Sequence, residues 1–345
     1  MTVCSANRYS LSNGPRSRAT SNVITDEVQR LIYNQDTQIE KFDKSKMNTE
    51  KQSIRGIKEV KLKSDFEDLK GQMPLNQQRA LEQATHKGAS SWLSALPLHA
   101  LGYSLNKAEF RDSISLRYGW EIPDIHTHCA CGAKNDIDHV MTCKKGGYVT
   151  FRHNALRDTE AELLREVCKD VRTEPLLLPT DKKCHPPSTN TQDQARLDIV
   201  ATGLWGTFER TFFDVRVTHA GAKSNINKSL DKLLLNNENE KKSKYSSRVI
   251  NTEKSSFVPL VYSTAGSTAP ECKRHHKRLA ELISGKRNEN YSSVINHIRT
   301  KIRFSLLKSV LMAIRGIRGR DSRKCMPTAF IPFNLIPTEG TYECP

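Results

Sequence analysis

Four potential metal ligands lie within fifteen residues near the middle of the chain: Cys129, Cys131, His139 and Cys143. Four cysteine and histidine ligands typically close a tetrahedral zinc site and leave no position open for a catalytic water. Gly132 lets the backbone turn around an ion, and bound metal would stabilise a loop too short to have its own core. The pattern predicts a structural zinc knuckle. Because the gap between the first two cysteines is tight, His126 and His128 stay open as substitute ligands, and incidental buried cysteines as the alternative.

The chain is strongly basic. Its 345 residues include 54 Lys and Arg against 38 Asp and Glu, a net charge of +16. This excess indicates a polyanionic partner, and nucleic acid and anionic membrane surfaces are the common ones. We find no run of about 18 apolar residues, which argues against a membrane-spanning helix, and no secretory signal pattern at the start. We therefore expect a nuclear or cytoplasmic protein that is not secreted and does not bind a membrane.

Composition divides the chain into four regions. Residues 1–87 are polar, and we expect them to be helical or disordered. Residues 88–150 form a helical segment that carries the knuckle, since aromatic and aliphatic residues begin to cluster there. Residues 151–319 form a second domain, and residues 320–345 form a tail.

The second domain shows helical and strand periodicity in turn. The predicted elements are a helix over 152–171, strands over 195–202 and 210–218, a helix over 228–249 and a strand over 257–263. This order predicts an α+β fold, in which a small central sheet is flanked by helices and preceded by the knuckle.

Most of the excess charge lies towards the end of this domain. Between residues 273 and 324, fifteen Lys and Arg stand against three acidic residues, a local net charge of +12. Apolar residues repeat every four positions from Val294 to Ile314, with Arg299 and Arg303 beside them, which predicts a basic amphipathic helix. We expect both arginines to contact nucleic acid. The alternative is a core-packing helix with a solvated basic face.

Two aspartates stand in predicted strands sixteen residues apart, Asp198 and Asp214. Strand alternation places Asp214 and Arg216 on the face opposite Phe213. Neighbouring strands would bring both carboxylates to one Mg²⁺ or Mn²⁺ ion, which can activate water and neutralise charge on a phosphodiester. The alternative is that each aspartate forms an ion pair with a neighbouring arginine, Arg196 or Arg216.

Taken together, these motifs resemble the C-terminal region of site-specific non-LTR retrotransposons that carry a restriction-endonuclease-like domain. The resemblance extends over residues 88–319 and includes the knuckle and a PD-(D/E)xK nuclease core whose lysine has moved to a helix near a tyrosine. After the knuckle, the matching positions are Arg152, His153, Asn154, Asp198, Asp214, Lys242 and Tyr245. Two positions depart from the pattern: Leu197 stands where the family usually has proline, and Arg216 where ordinary nucleases of this fold keep lysine.

The resemblance implies a nicking endonuclease that cuts target DNA and leaves a 3′ hydroxyl. It assigns a catalytic Mg²⁺ or Mn²⁺ ion to Asp198 and Asp214 with the Val215 carbonyl, and a structural Zn²⁺ ion to the knuckle. It assigns orientation of the attacking water to Lys242, with help from Tyr245.

Other residues share or compete for these roles. Lys241 and Lys244 are competitors for the role of Lys242. The residues expected to contact nucleic acid are Arg152, His153, Arg299 and Arg303.

DNA is the expected partner, with element RNA as a second one. The chain has no Tyr-x-Asp-Asp or Phe-x-Asp-Asp polymerase motif, so we expect no reverse transcription from it. It looks like the tail of a longer element. The alternative function is a non-catalytic DNA- or RNA-binding remnant of such an element.

Overall fold

The computed structural model describes residues 44–316, with side chains from residue 56 onward. Contacts within the chain separate two compact units, with the boundary between Asp68 and Leu69. Helix α1, Lys44–Gly71, makes up the described part of the first unit and ends just after this boundary. The second unit contains the remaining elements.

Part of the predicted domain organisation lies outside the described residues. This applies to residues 1–43 of the N-terminal region and to the predicted tail at 320–345. The predicted boundaries after residues 87 and 150 stay predictions.

Short helices precede the sheet. They are α2 (Leu75–Thr85), α3 (Ser91–Ser94), α4 (Lys107–Tyr118) and α5 (Ile137–Thr142). Local sequence sets the bounds of α4: the Asn106 side chain accepts a hydrogen bond from the Glu109 amide, and the Glu109 carboxylate accepts one from the Asn106 amide. Gly119 ends this helix at a φ of 66°, a conformation that glycine adopts without a steric penalty.

The central sheet has four strands in the order β1–β2–β3–β4. They are β1 (Lys169–Thr173), β2 (Ile199–Thr202), β3 (Arg210–Thr218) and β4 (Ser256–Ser263). The first two pairings are antiparallel and the third, between β3 and β4, is parallel. Helix α7, Leu230–Asn251, forms the crossover that a parallel pair requires. A small mixed sheet flanked by helices confirms the predicted α+β class.

The helix predicted over 152–171 is too long. The observed helix α6, Tyr148–Arg165, ends because the chain turns at Cys168, whose amide donates to the Leu164 carbonyl, and then enters β1. Sequence periodicity missed β1 because its five residues are mostly polar and exposed. Pairing with β2, rather than burial of an apolar face, holds this strand in place.

Alternation along β3 gives the sheet two different faces. Phe213 and Val215 are buried in the main core, which also contains residues of α6 and of two C-terminal helices, α8 (Pro270–Arg287) and α9 (Tyr291–Arg315). On the opposite face, Phe212 packs with residues of α7. Asp214 therefore projects from the sheet on the α7 side.

The predicted apolar stripe of α9 is part of the core. Its six residues are at most 5% exposed: Val294, Ile298, Ile302, Leu306, Val310 and Ile314. Lys301 on the same helix points away and pairs with Glu162 at 2.8 Å. None of the helices in the described part of the chain combines the length and apolarity needed to cross a bilayer.

Candidate active site and metal site

The four ligand atoms of the predicted knuckle come together. All four lie within 4.8 Å of one another. The Sγ atoms of Cys129 and Cys143 are 3.8 Å apart, and Cys131 Sγ is 3.3 Å from His139 Nε2. Gly132 takes a φ of 89° in the turn that carries the first two cysteines, where a side chain would be strained. The group is arranged to hold a metal ion.

Helix α5 supplies the other two ligands. The Asp136 carboxylate caps this helix by accepting a hydrogen bond from the His139 amide at 2.8 Å. Cys143 directly follows the last residue of α5, and its amide donates to the His139 carbonyl. The proposed substitutes, His126 and His128, are exposed and lie outside the ligand group.

Local interactions favour the ionised form of Cys129, which is the form that binds a metal. Burial opposes its thiolate, but hydrogen bonds from the Cys131 amide and from His139 lower the pKa of Cys129 to about 6. At Cys143, burial and the neighbouring thiols raise the pKa. Because the thiolate is the form that ligates a metal, the site contains one cysteine that ionises readily near neutral pH.

Arg152 joins the knuckle to the sheet domain. Its side chain is buried, and Nη2 donates to the Met141 carbonyl of α5 at 3.0 Å. The expected contact between Arg152 and nucleic acid needs a surface that this side chain lacks, so we correct its role to a positioning one. Asp138 makes a second connection, since its carboxylate lies 2.7 Å from Nε2 of His219, just after β3.

Asp198 and Asp214 meet at the start of β2. Asp198 directly precedes that strand, and its amide donates to the Phe213 carbonyl at 3.1 Å. The Asp198 Oδ2 atom accepts a hydrogen bond from the Val215 amide at 2.6 Å. The carboxylate of Asp198 therefore lies beside the segment of β3 that carries Asp214.

Asp214 is a buried carboxylate beside a lysine. Its side chain is 7% exposed, and Lys241 Nζ lies 2.5 Å from Oδ2. This contact is an ion pair between the Lys241 ammonium group and the Asp214 carboxylate. Burial and the charge of Asp198 raise the pKa of Asp214, against the opposing effects of Lys241 and His153. A carboxylate in this state gains stability from a further cation.

His153 also belongs to this site. Its Nε2 atom is 3.3 Å from Asp198 Oδ2 and 3.1 Å from the Val215 carbonyl oxygen. Although burial opposes the charged ring, its contact with Asp198 raises the pKa of His153. His153 was expected to contact nucleic acid, whereas in the structure it contacts Asp198 and the Val215 carbonyl.

Helix α7 presents Lys241 to the aspartates and turns Lys242 away. Lys242 Nζ instead lies 2.9 Å from Glu238 and 3.1 Å from Glu271. Successive residues of a helix point about 100° apart, because a turn contains 3.6 residues. The expectation that Lys242 faces the aspartates is therefore corrected in favour of Lys241, one of its two competitors.

Tyr245 lies one turn after Lys241 and is buried. The Nζ atoms of Lys241 and Lys244 are 5.8 Å and 5.3 Å from its ring centre, within the range of cation–π attraction. Its ring also packs 5.9 Å from that of Phe257 on β4. Tyr245 therefore lies between the two lysines and the sheet, and its expected help in placing the attacking water stays a prediction.

The neighbouring arginines do not neutralise the aspartates. Arg216 pairs with Glu240 of α7 at 2.7 Å, and Arg196 donates to the Glu174 carbonyl at 3.0 Å. The alternative of simple ion pairs within each strand is therefore not the observed arrangement. The remaining groups are two carboxylates and the Val215 carbonyl, and such oxygen donors suit a hard divalent cation.

A buried network on the other side of the sheet was not predicted from the sequence. Glu160 of α6 lies 2.8 Å from His276 Nε2 and 3.1 Å from His275 Nε2, and it accepts a hydrogen bond from the Tyr262 hydroxyl. All four side chains are buried. The three acidic and histidine residues are close enough to hold an ion, but hydrogen bonds among them already satisfy the carboxylate. The i, i+3 and i, i+4 spacing of Cys272, His275 and His276 was the available sequence signal.

No protein-family model matches this chain, and a search of curated proteins gives no significant match. Its function is therefore inferred from the chemistry of the sites described above.

Proposed function

We propose that this protein is a metal-dependent DNA endonuclease that nicks its target by hydrolysing a phosphodiester bond. The observation that carries the proposal is the meeting of Asp198, Asp214 and Lys241. The Asp198 carboxylate accepts from the Val215 amide, directly beside Asp214, and Lys241 Nζ lies 2.5 Å from the Asp214 carboxylate. A buried carboxylate next to a second, partly exposed carboxylate is more typical of an active site than of a structural ion pair.

The residues divide the chemistry among them. Asp198, Asp214 and the Val215 carbonyl would hold a Mg²⁺ or Mn²⁺ ion, which when bound neutralises charge on the phosphate and acidifies a water molecule. Lys241 would orient the attacking water. The water oxygen would form the new bond to phosphorus and lose a proton to solvent, while the bond from phosphorus to the 3′ oxygen breaks. The departing oxygen would take up a proton from solvent, so the products are a 5′ phosphate and a 3′ hydroxyl. His153 fixes the position of the Asp198 carboxylate and of the Val215 carbonyl.

We further propose that the Cys129–Cys131–His139–Cys143 group binds Zn²⁺ and that the protein derives from a non-LTR retrotransposon. The ligand set and the order of the motifs support both statements. DNA is then the substrate and element RNA a second partner, in the nucleus or the cytoplasm. The basic run at 273–278 lies in α8, where its two histidines are buried.

Relaxation of supercoiled plasmid in Mg²⁺ or Mn²⁺ tests the proposal. We expect the wild type to produce nicked circles and Asp214→Asn to be inactive. Lys241→Met should lower the nicking rate about 100-fold or more, as is typical for a group that acts directly on the reacting water. Lys242→Met is the matched control, since it makes the same change one residue along α7, and we expect it to stay within about fivefold of the wild type.

Two outcomes would contradict parts of this proposal. A wild type that shifts plasmid in a gel and never cuts it, with its fold intact, would indicate the non-catalytic binding remnant. A larger loss in Lys242→Met than in Lys241→Met, with equal melting temperatures, would return the catalytic role to Lys242.

A further inference from the structure

A basic pocket of about 270 Å³ lies between the turn after β4, the segment before α3, and helices α8 and α9. Five lysines and arginines line it, Lys87, Lys273, Lys277, Arg299 and Arg303, together with His276. None of the described residues that line it is an aspartate or a glutamate. The aspartate site does not contribute to it either. The pocket is therefore a separate region of concentrated positive charge.

Two glycines make room for the arginines of this pocket. Arg299 and Arg303 are one turn apart on α9. A Cβ atom on Gly88 would lie 3.0 Å from Cδ of Arg299, and one on Gly266 would lie 2.8 Å from Cδ of Arg303. Both glycines also have positive φ values, 89° and 94°. The backbone at the two glycines thus packs closely against the two arginine side chains, which a solvated basic face does not require.

Arg303 carries a buried charge without a carboxylate partner. Its Nε atom donates to the Ala89 carbonyl at 2.8 Å, while Nη1 is buried and has no hydrogen-bond partner. Burial and repulsion from Arg117 lower the pKa of Arg303 to about 10. Across residues 56–316, neither arginine of the pocket and none of its three lysines lies within ion-pair distance of an acidic side chain.

A pocket of basic side chains without acidic partners suits an anionic ligand. Buried charges in proteins are normally paired, because an unpaired one loses its hydration without compensation. Arginine forks and lysine ammonium groups together are the typical partners of phosphate oxygens. A phosphate group in the pocket would meet Arg299, Lys87, Lys273 and Lys277, next to the buried charge of Arg303.

We propose that this pocket binds a phosphate group of a nucleic acid strand, at a site separate from the catalytic aspartates. The phosphate chemistry follows from the pocket itself, and the choice of nucleic acid as its source rests on the proposed function. Such a contact would hold the substrate in register while the bond is cut elsewhere on the protein, since phosphate contacts set position rather than sequence preference.

The test is binding of a fluorescein-labelled DNA duplex, followed by anisotropy. The buffer contains neither Mg²⁺ nor chelator, so binding is measured without cleavage and without removing knuckle metal. We expect Arg299→Gln and Lys277→Gln each to weaken binding about fivefold to tenfold. Each should also lower the number of counterions released on binding, read from the slope of log K against log salt concentration, by about one. Pyrophosphate should compete with the duplex for the wild type more strongly than KCl of equal ionic strength.

Lys301→Gln is the matched control. It removes one positive charge from the same helix at a residue that pairs with Glu162 and does not line the pocket. We expect a change in affinity below about twofold. Arg303→Gln is a further variant, interpreted only if its melting temperature matches that of the wild type.

Three results would overturn the proposal. Equal effects of Lys301→Gln and the pocket variants would mean that overall charge alone binds DNA. Competition by pyrophosphate no stronger than by KCl would mean that the pocket has no phosphate site. Pyrophosphate binding that the pocket variants lose, with unchanged affinity for the duplex, would assign the pocket to a small phosphate compound. Because Mg²⁺ is absent, none of these results depends on whether the protein cleaves DNA.

Discussion

Arg248 is the largest side chain that the fold buries completely. Its Nη1 atom donates to the carbonyls of Asn190 and Gln192, both at 2.9 Å, and Nη2 donates to that of Leu178 at 2.7 Å. These bonds attach the polar loop before β2 to α7, the helix that carries Lys241. A single guanidinium thus holds both the loop and the helix near the aspartate site.

At this residue we predict a large loss of stability on Arg248→Met. The substitution keeps much of the side-chain volume but removes the guanidinium donor of the Asn190 and Leu178 carbonyls and one of the two donors of the Gln192 carbonyl. We expect the free energy of unfolding to fall by about 3 kcal/mol, measured by urea denaturation. Arg210→Met changes an exposed arginine and should alter stability by less than about 0.5 kcal/mol. A loss below about 1 kcal/mol for Arg248→Met would mean that water replaces the guanidinium.

Adjacent residues with different surroundings were the hardest for sequence analysis. Lys241 and Lys242 have the same chemistry, and only the phase of α7 on the sheet decides which one faces Asp214. A signal was present, since Lys241 precedes Tyr245 by four residues and so shares its buried stripe. Arg152 and His153 differ in the same way, because the first contacts α5 and the second the aspartates.

At the scale of elements, the Glu160 network connects α6, β4 and α8. Burial opposes the charged forms of Glu160 and His276, but the two histidines hold the pKa of Glu160 far below its usual range. Cys272 and Glu160 raise the pKa of His276 to about 10. Burial, the main influence on His275, lowers its pKa. The network therefore contains one carboxylate and one imidazolium held as a buried ion pair.

We predict that stability falls as the pH rises from 7 to 9. The pKa of His276 is higher in the folded protein than its ordinary value of 6.5, so its contribution is complete below pH 6.5 and is lost as the pH rises towards 10. Glu160 stabilises the fold above its ordinary pKa of 4.5, and that part is lost only in acid. Urea denaturation at pH 7, 8 and 9 measures the slope.

His276→Gln provides the comparison for this pH effect. It keeps a polar group at the position and removes the titration, so its slope between pH 7 and 9 should be smaller than that of the wild type. Equal slopes in the two proteins would show that other groups, such as the thiols, cause the pH dependence.

Element types were more predictable than their ends. The stripe of α9 and the apolar residues around both aspartates carry strong periodicity, and they gave a helix and two strands at the right places. Strand β1 was not predicted because its residues lack an apolar pattern. The burial of Glu160 and Arg248 was not predicted either, since a charged residue in a helix normally lies on a solvated face. Their burial depends on tertiary partners that the local sequence does not show.

At the scale of the whole second unit, we predict that the knuckle metal stabilises more than its own loop. Arg152 and the Asp138–His219 contact connect α5 to α6 and to the end of β3. We expect purified protein to contain about one zinc ion per chain, measured by elemental analysis. Removal of the zinc ion by 1,10-phenanthroline should lower the melting temperature of the cooperative unfolding transition.

Two cysteine variants separate the metal site from other thiols. Cys143→Ser should lose the zinc and the stabilisation together. Cys184→Ser changes an exposed free thiol outside the ligand group and should keep both. Full zinc content in Cys143→Ser would contradict the assigned ligand set.

The parallel pairing of β3 and β4 also bears on the order in which the two sites form during folding. Residues paired across these strands are 45 positions apart in the chain, whereas the knuckle ligands span only fifteen residues. Contacts between distant residues form slowly, because closing a long loop costs entropy before it brings any gain. The knuckle can therefore close early on a nascent or refolding chain. Asp214 and Lys241 come together only once α7 has folded back onto β3, so the aspartate site forms after longer-range contacts than the knuckle does.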